Sequence, residues 1–206
     1  MLDFGFYNMD CMEGIKQFPD KYFDLAIVDP PYGIDAGQMT MGSGKHKFTK
    51  KGWDNQIPTK EYFDELFRIS KNQVIWGGNY FTQYLRPSKH WLIWDKCNPN
   101  LSFAEAEVAW VCDGKLMRIF KHYSAQVEDG GKIHPTQKPV ALYKWILTNY
   151  AKPGDKILDT HVGSASSLIA CYDLGFDYVG FEIDEDYYRQ AKKRLEEEMA
   201  QVRFDL

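Results

Sequence analysis

The apolar run Leu25-Ala26-Ile27-Val28 ends abruptly at Pro30-Pro31. Four apolar residues in a row followed by two prolines read as a buried strand with a sharp end. Each proline fixes its own φ, and Pro31 also keeps Pro30 out of the helical region. The sequence Asp29-Pro30-Pro31-Tyr32 is therefore expected to form a stiff, extended turn at the carboxyl end of a strand. Neither proline carries an N–H, so their carbonyls face no competing local donor. A carboxylate, a free carbonyl and an aromatic ring on one rigid piece of chain suit a planar group that bears an NH2, such as the exocyclic amine of adenine or cytosine. Asp29 and the Pro30 carbonyl can accept the two amino hydrogens, and Tyr32 can stack on the ring. Taken alone, the same four residues also fit a plain corner with Tyr32 packed as core.

Strand-like runs and helical patterns alternate along most of the chain, which points to a layered α/β fold with a mainly parallel sheet. Strands are expected at Gly5-Phe6-Tyr7-Asn8, Asp24 to Val28, Gln73 to Trp76, Lys156 to Leu158 and Tyr178 to Ile183. Trp91 to Trp94 and Glu107 to Val111 read as an antiparallel pair at one sheet edge. Helices are expected from Thr59 to Ser70, from Pro139 to Tyr150, from Ser164 to Leu174, and from Asp184 onward. Pro139 would open its helix at the first position, with Val140, Tyr143, Ile146, Leu147 and Tyr150 as the buried stripe. The last helix would bury Tyr188, Ala191, Leu195 and Val202.

At 206 residues the chain is long enough for one domain with a substantial core. Its polar stretch from Gly33 to Pro58 has no periodicity and reads as a mobile functional loop. The segment 112–133 reads as a small recognition insert. Cys11, Cys97, Cys112 and Cys171 are widely spaced without metal-ligand patterns, so buried free thiols are expected and no metal site is. No apolar stretch is long enough to cross a bilayer, and the N-terminus has no basic-then-apolar leader, so a cytoplasmic location is expected. The net charge of −4 argues against coating nucleic acid through bulk positive charge. It leaves room for local phosphate contact, since Lys45, His46, Lys47, Lys50 and Lys51 cluster with no acid among them.

Two further motifs carry chemistry. Ile157-Leu158-Asp159-Thr160-His161-Val162-Gly163-Ser164 reads as strand, tight turn and helix start, where Gly163 lets backbone approach a ligand. Glu182 ends the next strand, at the spacing where an α/β nucleotide fold places a carboxylate on ribose hydroxyls. The glycine pattern of a dinucleotide site is absent, which makes a nicotinamide enzyme a weak reading. A ligand with ribose but no pyrophosphate, such as S-adenosylmethionine, fits better. The third element, His134-Pro135-Thr136-Gln137-Lys138-Pro139, leads into a helix whose free amides, with Lys138 beside them, suit a carboxylate.

Together these residues resemble the amino-methyltransferases that act on DNA. The order, with Asp-Pro-Pro-Tyr first and the Asp-x-x-x-Gly-Ser loop last, is similar to the circularly permuted β class. The resemblance covers roughly residues 5 to 195. It implies a single Rossmann-like S-adenosylmethionine-dependent domain that methylates a base amine in double-stranded DNA after base flipping. It implies catalysis by Asp29, Pro30, Pro31 and Tyr32, and cofactor contacts from Asp10, His134, Thr136, Lys138, Asp159, His161, Gly163, Ser164 and Glu182. Asp10 would reach the adenine amine of the cofactor, Asp159 its methionine amine and Glu182 its ribose. The segment from Gln73 to Asn79 would sit beside the target base. Lys45, Lys47, Lys50 and Lys51 are the candidates for DNA phosphate.

Asp before Pro-Pro-Tyr tilts the analogy toward adenine N6, with cytosine N4 as the rival. A silent nucleic-acid-binding partner subunit is the reading from another class. The resemblance also implies a homodimer, and the shortness of the stretch 112–133 points to a compact restriction-modification type enzyme, unaccompanied by a restriction partner or borne by a phage. Two departures stand out. His161 occupies a place where the family usually has Phe, and Ala165 one where it has glycine. A protonated imidazole beside a sulfonium is repelled, so His161 is expected to be neutral, its pKa held down by the cofactor.

Overall fold

The run that stops at Pro30 is strand β2 (Phe23–Val28), buried near the middle of a mixed sheet. The computed structural model describes residues 1–35, 54–98, 104–112, 114, 116–123 and 132–201. Its other strands are β1 (Gly5–Asn8), β3 (Ser70–Trp76), β4 (Trp91–Asp95), β5 (Ala106–Val111), β6 (Arg118–Lys121), β7 (Lys156–Asp159) and β8 (Asp177–Glu182). Their order across the sheet is β1-β8-β7-β2-β3-β5-β4-β6. The strands from β1 through β3 run parallel, β5 is antiparallel to both β3 and β4, and β6 pairs parallel with β4.

Helices cover both faces. On one side lie α1 (Cys11–Ile15) and α2 (Lys60–Ile69), packed with Ala26, Val28, Ile75, Leu158 and Phe181. On the other lie α3 (Val140–Tyr150) and α4 (Ser166–Leu174), packed on Leu25, Ile27, Val74 and Ile157. Helix α5 (Glu185–Met199) closes against α4 through Ala191 and Leu195. Alternate residues of β2 thus feed two different cores, which is why the strand reads as an unbroken apolar run.

The chain goes from β2 to α2 on one face, but from β7 to α4 on the opposite face. β2 and β7 are parallel neighbours, with Leu25 opposite Ile157 and Ala26 opposite Leu158. A crevice at the carboxyl ends of two such strands is where open α/β sheets bind ligands. The Asp-Pro-Pro-Tyr turn and the Asp159 loop come from the two sides of that crevice, despite lying some 130 residues apart in the chain.

Several local expectations shift. Pro139 is the N-cap of α3, not its first helical residue, and Leu142 is buried while Val140 and Tyr150 are only half-buried. Helix α4 starts at Ser166 because Ala165 turns left-handed, with φ of 64°. In α5 the buried stripe uses Tyr187 instead of Tyr188, whose ring packs on Phe6 at 4.6 Å; Val202 lies outside the described residues. The edge expected at β4–β5 is extended by β6, which falls within the segment 112–133 read as an insert. Cys112 and Cys171 are buried, whereas Cys11 is half-buried and Cys97 exposed. Lys45, Lys47, Lys50 and Lys51 lie outside the described residues. Among the described residues no helix is long and apolar enough to cross a membrane.

Candidate active site

Past the end of β2, the turn of Asp29 to Tyr32 is clamped from a distance. The buried Asp54 carboxylate accepts the Tyr32 N–H at 2.6 Å, the Gly33 N–H at 3.0 Å and the Ile34 N–H at 3.3 Å. One carboxylate thus satisfies three consecutive amides that the prolines leave without a ladder. Sequence reasoning missed Asp54, since it sits in a polar loop without periodicity. Its place two dozen residues past Pro-Pro carried no local signal.

The Tyr32 hydroxyl donates to Asp29 Oδ1 at 2.5 Å. Its ring stacks on Tyr80, with centroids 4.9 Å apart and planes 13° from parallel. Gly77, with φ of 68°, makes room for Tyr32: a Cβ there would lie 2.1 Å from the ring. The turn after β3 is therefore glycine because an aromatic ring from β2 fills the space. Within the segment 73–79, Gly77 lies beside Tyr32. Gln73 pairs with Ala26 inside the sheet and donates its side chain to the Ser70 carbonyl at 2.9 Å, away from the site.

Lys138 is placed differently from expectation. Its ammonium reaches Asp29 Oδ2 and lies 3.0 Å from Glu107 Oε2, with the side chain 2% exposed. Glu107 in turn accepts Lys96 at 2.6 Å. Lys138 so belongs to the Asp29 side of the crevice and not to the free amides ahead of α3. Burial alone raises the Glu107 carboxyl, but Lys138 and Lys96 outweigh it and bring it down to about 2. Burial pushes the Asp29 carboxyl up, with Lys138 pulling against it. Burial also works against the Lys138 ammonium, yet the two carboxylates hold its proton more firmly than usual.

Across the crevice, Asp159 is 2% exposed and accepts the Ser167 hydroxyl at 2.5 Å and the His161 N–H at 3.0 Å. Burial, opposed by these two donors, raises its carboxyl to about 7. Glu182 accepts the Gly163 N–H at 2.9 Å and the Asp184 N–H at 2.9 Å, so its carboxylate ties the loop after β7 to the end of β8. Asp10 caps α1 by accepting the Met12 N–H at 2.8 Å.

His161 sits at the end of a hydrogen-bonded chain. The buried Tyr62 hydroxyl meets Thr160 Oγ1 at 2.7 Å, and that oxygen meets His161 Nδ1 at 2.9 Å. The Thr160 hydroxyl thus bridges a buried phenol to the imidazole, and the direction of both bonds goes with the imidazole tautomer. Burial lowers the His161 pKa to about 4 in the unliganded protein. The neutral form expected of this residue thus already follows from its burial.

A cavity of about 160 Å³ joins these groups. Its lining includes Asp29, Pro31, His134, Thr136, Lys138, His161, Gly163, Ser164 and Glu182, together with Gln137, Tyr143, Val162, Ile183, Asp184 and Tyr187, which sequence reasoning did not single out for the site. Pro30, Tyr32, Asp10 and Asp159, also expected at the site, are not among the residues that line it. The three motifs therefore meet at one place.

Comparison with known proteins agrees with this layout. The family model for DNA methylases matches residues 92–193. Over 91% of the chain and 67% of its own length, a type II methyltransferase of Haemophilus influenzae, M.HinfI, is 27% identical. The type II methyltransferase M2.DpnII of Streptococcus pneumoniae is 26% identical over 93% of the chain and 89% of its own. The fold matches the crystal structure of the M1.HpyAVI–SAM complex, with a TM-score of 0.64 and 23% identity over 92% of this chain and 98% of that one. It equally matches the cytosine-N4-specific PvuII DNA methyltransferase, with a TM-score of 0.63 and 12% identity over 97% and 91% of the two chains.

Proposed function

Since the chain belongs to the DNA methylase family, we propose that it transfers a methyl group from S-adenosylmethionine to the exocyclic amine of a base in double-stranded DNA, with adenine N6 the favoured target. The observation that carries this reading is the convergence of Asp29, His161 and Glu182 on one cavity at the carboxyl ends of adjacent strands.

The residues present fit the methyl donor. Asp159 is a buried carboxylate with no cation against it among the described residues, and it suits an ammonium. Glu182 lines the cavity at the end of β8, where a carboxylate suits ribose hydroxyls. Asp10 would take the adenine amine, and Gly163 and Ser164 would bring backbone close to the ligand. Thr136 and His134 line the same wall. When bound, S-adenosylmethionine supplies an electrophilic methyl on a sulfonium.

The chain's own residues prepare the nucleophile. A base amine is weakly nucleophilic because its lone pair is delocalised into the ring. Asp29 and the Pro30 carbonyl accept its two hydrogens and favour a tetrahedral nitrogen whose lone pair points along the transfer line. Tyr32 Oη and Lys138 each occupy one carboxylate oxygen of Asp29, and a carboxylate has about four acceptor sites, so room for the amine remains. Holding the partners in line can lower the barrier by roughly 7–11 kcal/mol. Extruding the base costs a few kcal/mol, which stacking against Tyr32 offsets. Tyr80 already lies flat against one face of Tyr32, so a base stacking on that face would have to displace it. Lys45, Lys47, Lys50 and Lys51 would meet the phosphates.

Adenine is favoured over cytosine on the Asp29 analogy alone. Expression in a methylation-free bacterial host, followed by sequencing of its DNA for modified bases, tests the reading. N6-methyladenine at a defined site is the expected result. N4-methylcytosine would transfer the proposal to the rival base, and unmodified DNA from a well-expressed protein would overturn it.

A further inference from the structure

We propose that Lys138 is a positioning residue for this reaction: bridged between Asp29 and Glu107, its ammonium holds Asp29 as an oriented, acceptor-only carboxylate, and Glu107 sets how firmly it does so. The inference rests on the methyl-transfer reading above and deepens it.

Asp29 lines the cavity with its side chain only 17% exposed. A carboxyl in such a place tends to take a proton, because burial disfavours its charged form. A protonated Asp29 would present a donor to an amine that itself needs acceptors. The groups facing Asp29 from the packed elements are Tyr32 on its own turn, Glu107 on β5, Asp159 on β7, Tyr62 on α2, Tyr143 on α3 and Lys138 ahead of α3. Of these, Lys138 alone is a cation. The tyrosines are neutral, and both carboxylates push Asp29 toward protonation.

Lys138 is fixed by more than this one contact. Glu107 Oε2 stands 3.0 Å away, Tyr32 Oη 3.5 Å, and the Trp76 ring centroid 5.3 Å. Trp76 is fully buried, so one side of the ammonium is shielded from water. Glu107 therefore competes with Asp29 for the same charge, while Lys96 takes its other oxygen. Lys96 follows the end of β4, which connects the cluster to the strands beyond β3.

This arrangement predicts opposite effects from two neighbours. In Lys138→Met, Asp29 loses its cation and the acidic limb of the single-turnover rate moves up by about 1–3 pH units. At a pH on that limb the loss is about 10- to 1,000-fold, and it is recovered in alkali. In Glu107→Gln the limb moves down, because Lys138 no longer divides its charge. Lys138→Arg keeps the limb in place, whatever its rate. Dissociation constants for S-adenosylmethionine, measured by calorimetry, stay within about threefold of the parent in all three variants.

The measurements are rapid-quench transfer to unmethylated genomic DNA between pH 5.5 and 9.5, and 13C titration of aspartate carboxyls in the unliganded protein, with Asp29→Asn assigning the signal. Opposite movements of limb and carboxyl signal in the two variants support the proposal. A uniform rate loss at every pH, with the Asp29 signal unmoved, overturns it in favour of plain packing. So does a loss of cofactor affinity matching the loss of rate, which would return Lys138 to the ligand carboxylate. If the parent protein transfers no methyl to DNA, the functional reading fails, and the carboxyl titration still decides Lys138. Should Lys138→Met not fold, the downward shift in Glu107→Gln and the unmoved limb in Lys138→Arg carry the decision.

Discussion

On the β7–β8 side of the cavity, Asp159 and Glu182 are held by neutral donors: a serine hydroxyl and the backbone N–H groups of His161, Gly163 and Asp184. On the β2–β5 side, Asp29 and Glu107 share a buried ammonium. The first side orients negative charge without cancelling it, so it attracts a cationic ligand. The second cancels the charge internally and keeps an acceptor ready for a neutral amine. Burying a lysine is expensive unless it is well paired, and deleting one partner of such a pair typically costs about 3–5 kcal/mol. A cluster of this kind is best explained by what it does to Asp29.

The sharpest way to break the comparison is Asp29→Ala. Methyl transfer is expected to fall by at least on the order of a hundredfold, the usual cost of removing a preorganised hydrogen-bonding group. Cofactor binding should survive, because the other side of the cavity is intact. Equal loss of both in calorimetry and turnover would make Asp29 a structural residue and merge the two sides into one.

The second effect belongs to the β7–β8 side. With its carboxyl raised to about 7, Asp159 must give up a proton to meet an ammonium, whereas His161, at about 4, does not titrate near neutrality. Affinity for S-adenosylmethionine is then fully present above about pH 7 and declines as the pH falls below it, with protons released on binding. Asp159→Asn should weaken binding by about 10- to 100-fold, as expected for a charged hydrogen bond of roughly 1.5–3 kcal/mol, and flatten the pH profile. His161→Phe should leave the profile's midpoint unchanged. Calorimetry in buffers of different ionisation enthalpy reads both. A midpoint that follows His161 instead would reverse the assignment. In the unliganded protein the same raised carboxyl acts the other way: stability is greatest below about pH 4 for this group and declines as pH rises through 7.

The smallest effect concerns Ala165. A left-handed alanine costs about 1–2 kcal/mol, but its methyl is fully buried beside Val162 and Leu168. Losing that methyl costs roughly 0.8 kcal/mol, and a glycine loosens the unfolded chain by a further ~0.4–1 kcal/mol. The terms nearly cancel, so Ala165→Gly should move the melting temperature by no more than about 3 °C. A larger change in either direction would show that this loop is strained, or packed, more than its geometry implies.

Much of the fold was legible because local periodicity and turn chemistry are written along the chain. β2, β7, β8 and the helices α2 to α5 follow from apolar spacing, capping residues and glycines. Short elements were not: α1 has five residues with Gly14 inside it, and β6 has four, with a basic residue at each end. Neither is long enough to show a period. The positions of the three motifs were legible too, as were most residues that line the cavity.

Sequence by itself determined the layered α/β class, the stiff corner at Asp29 and the loop that presents Gly163, since each depends on neighbouring residues and their allowed backbone. Only the tertiary structure decided that Asp54 clamps the corner, that Gly77 yields its space to Tyr32, and that Lys138 turns toward Asp29. The physical reason is separation. A side chain's direction is chosen by charges and volumes brought together from distant strands; Lys138 and Asp29 are 109 positions apart, and no local pattern connects them.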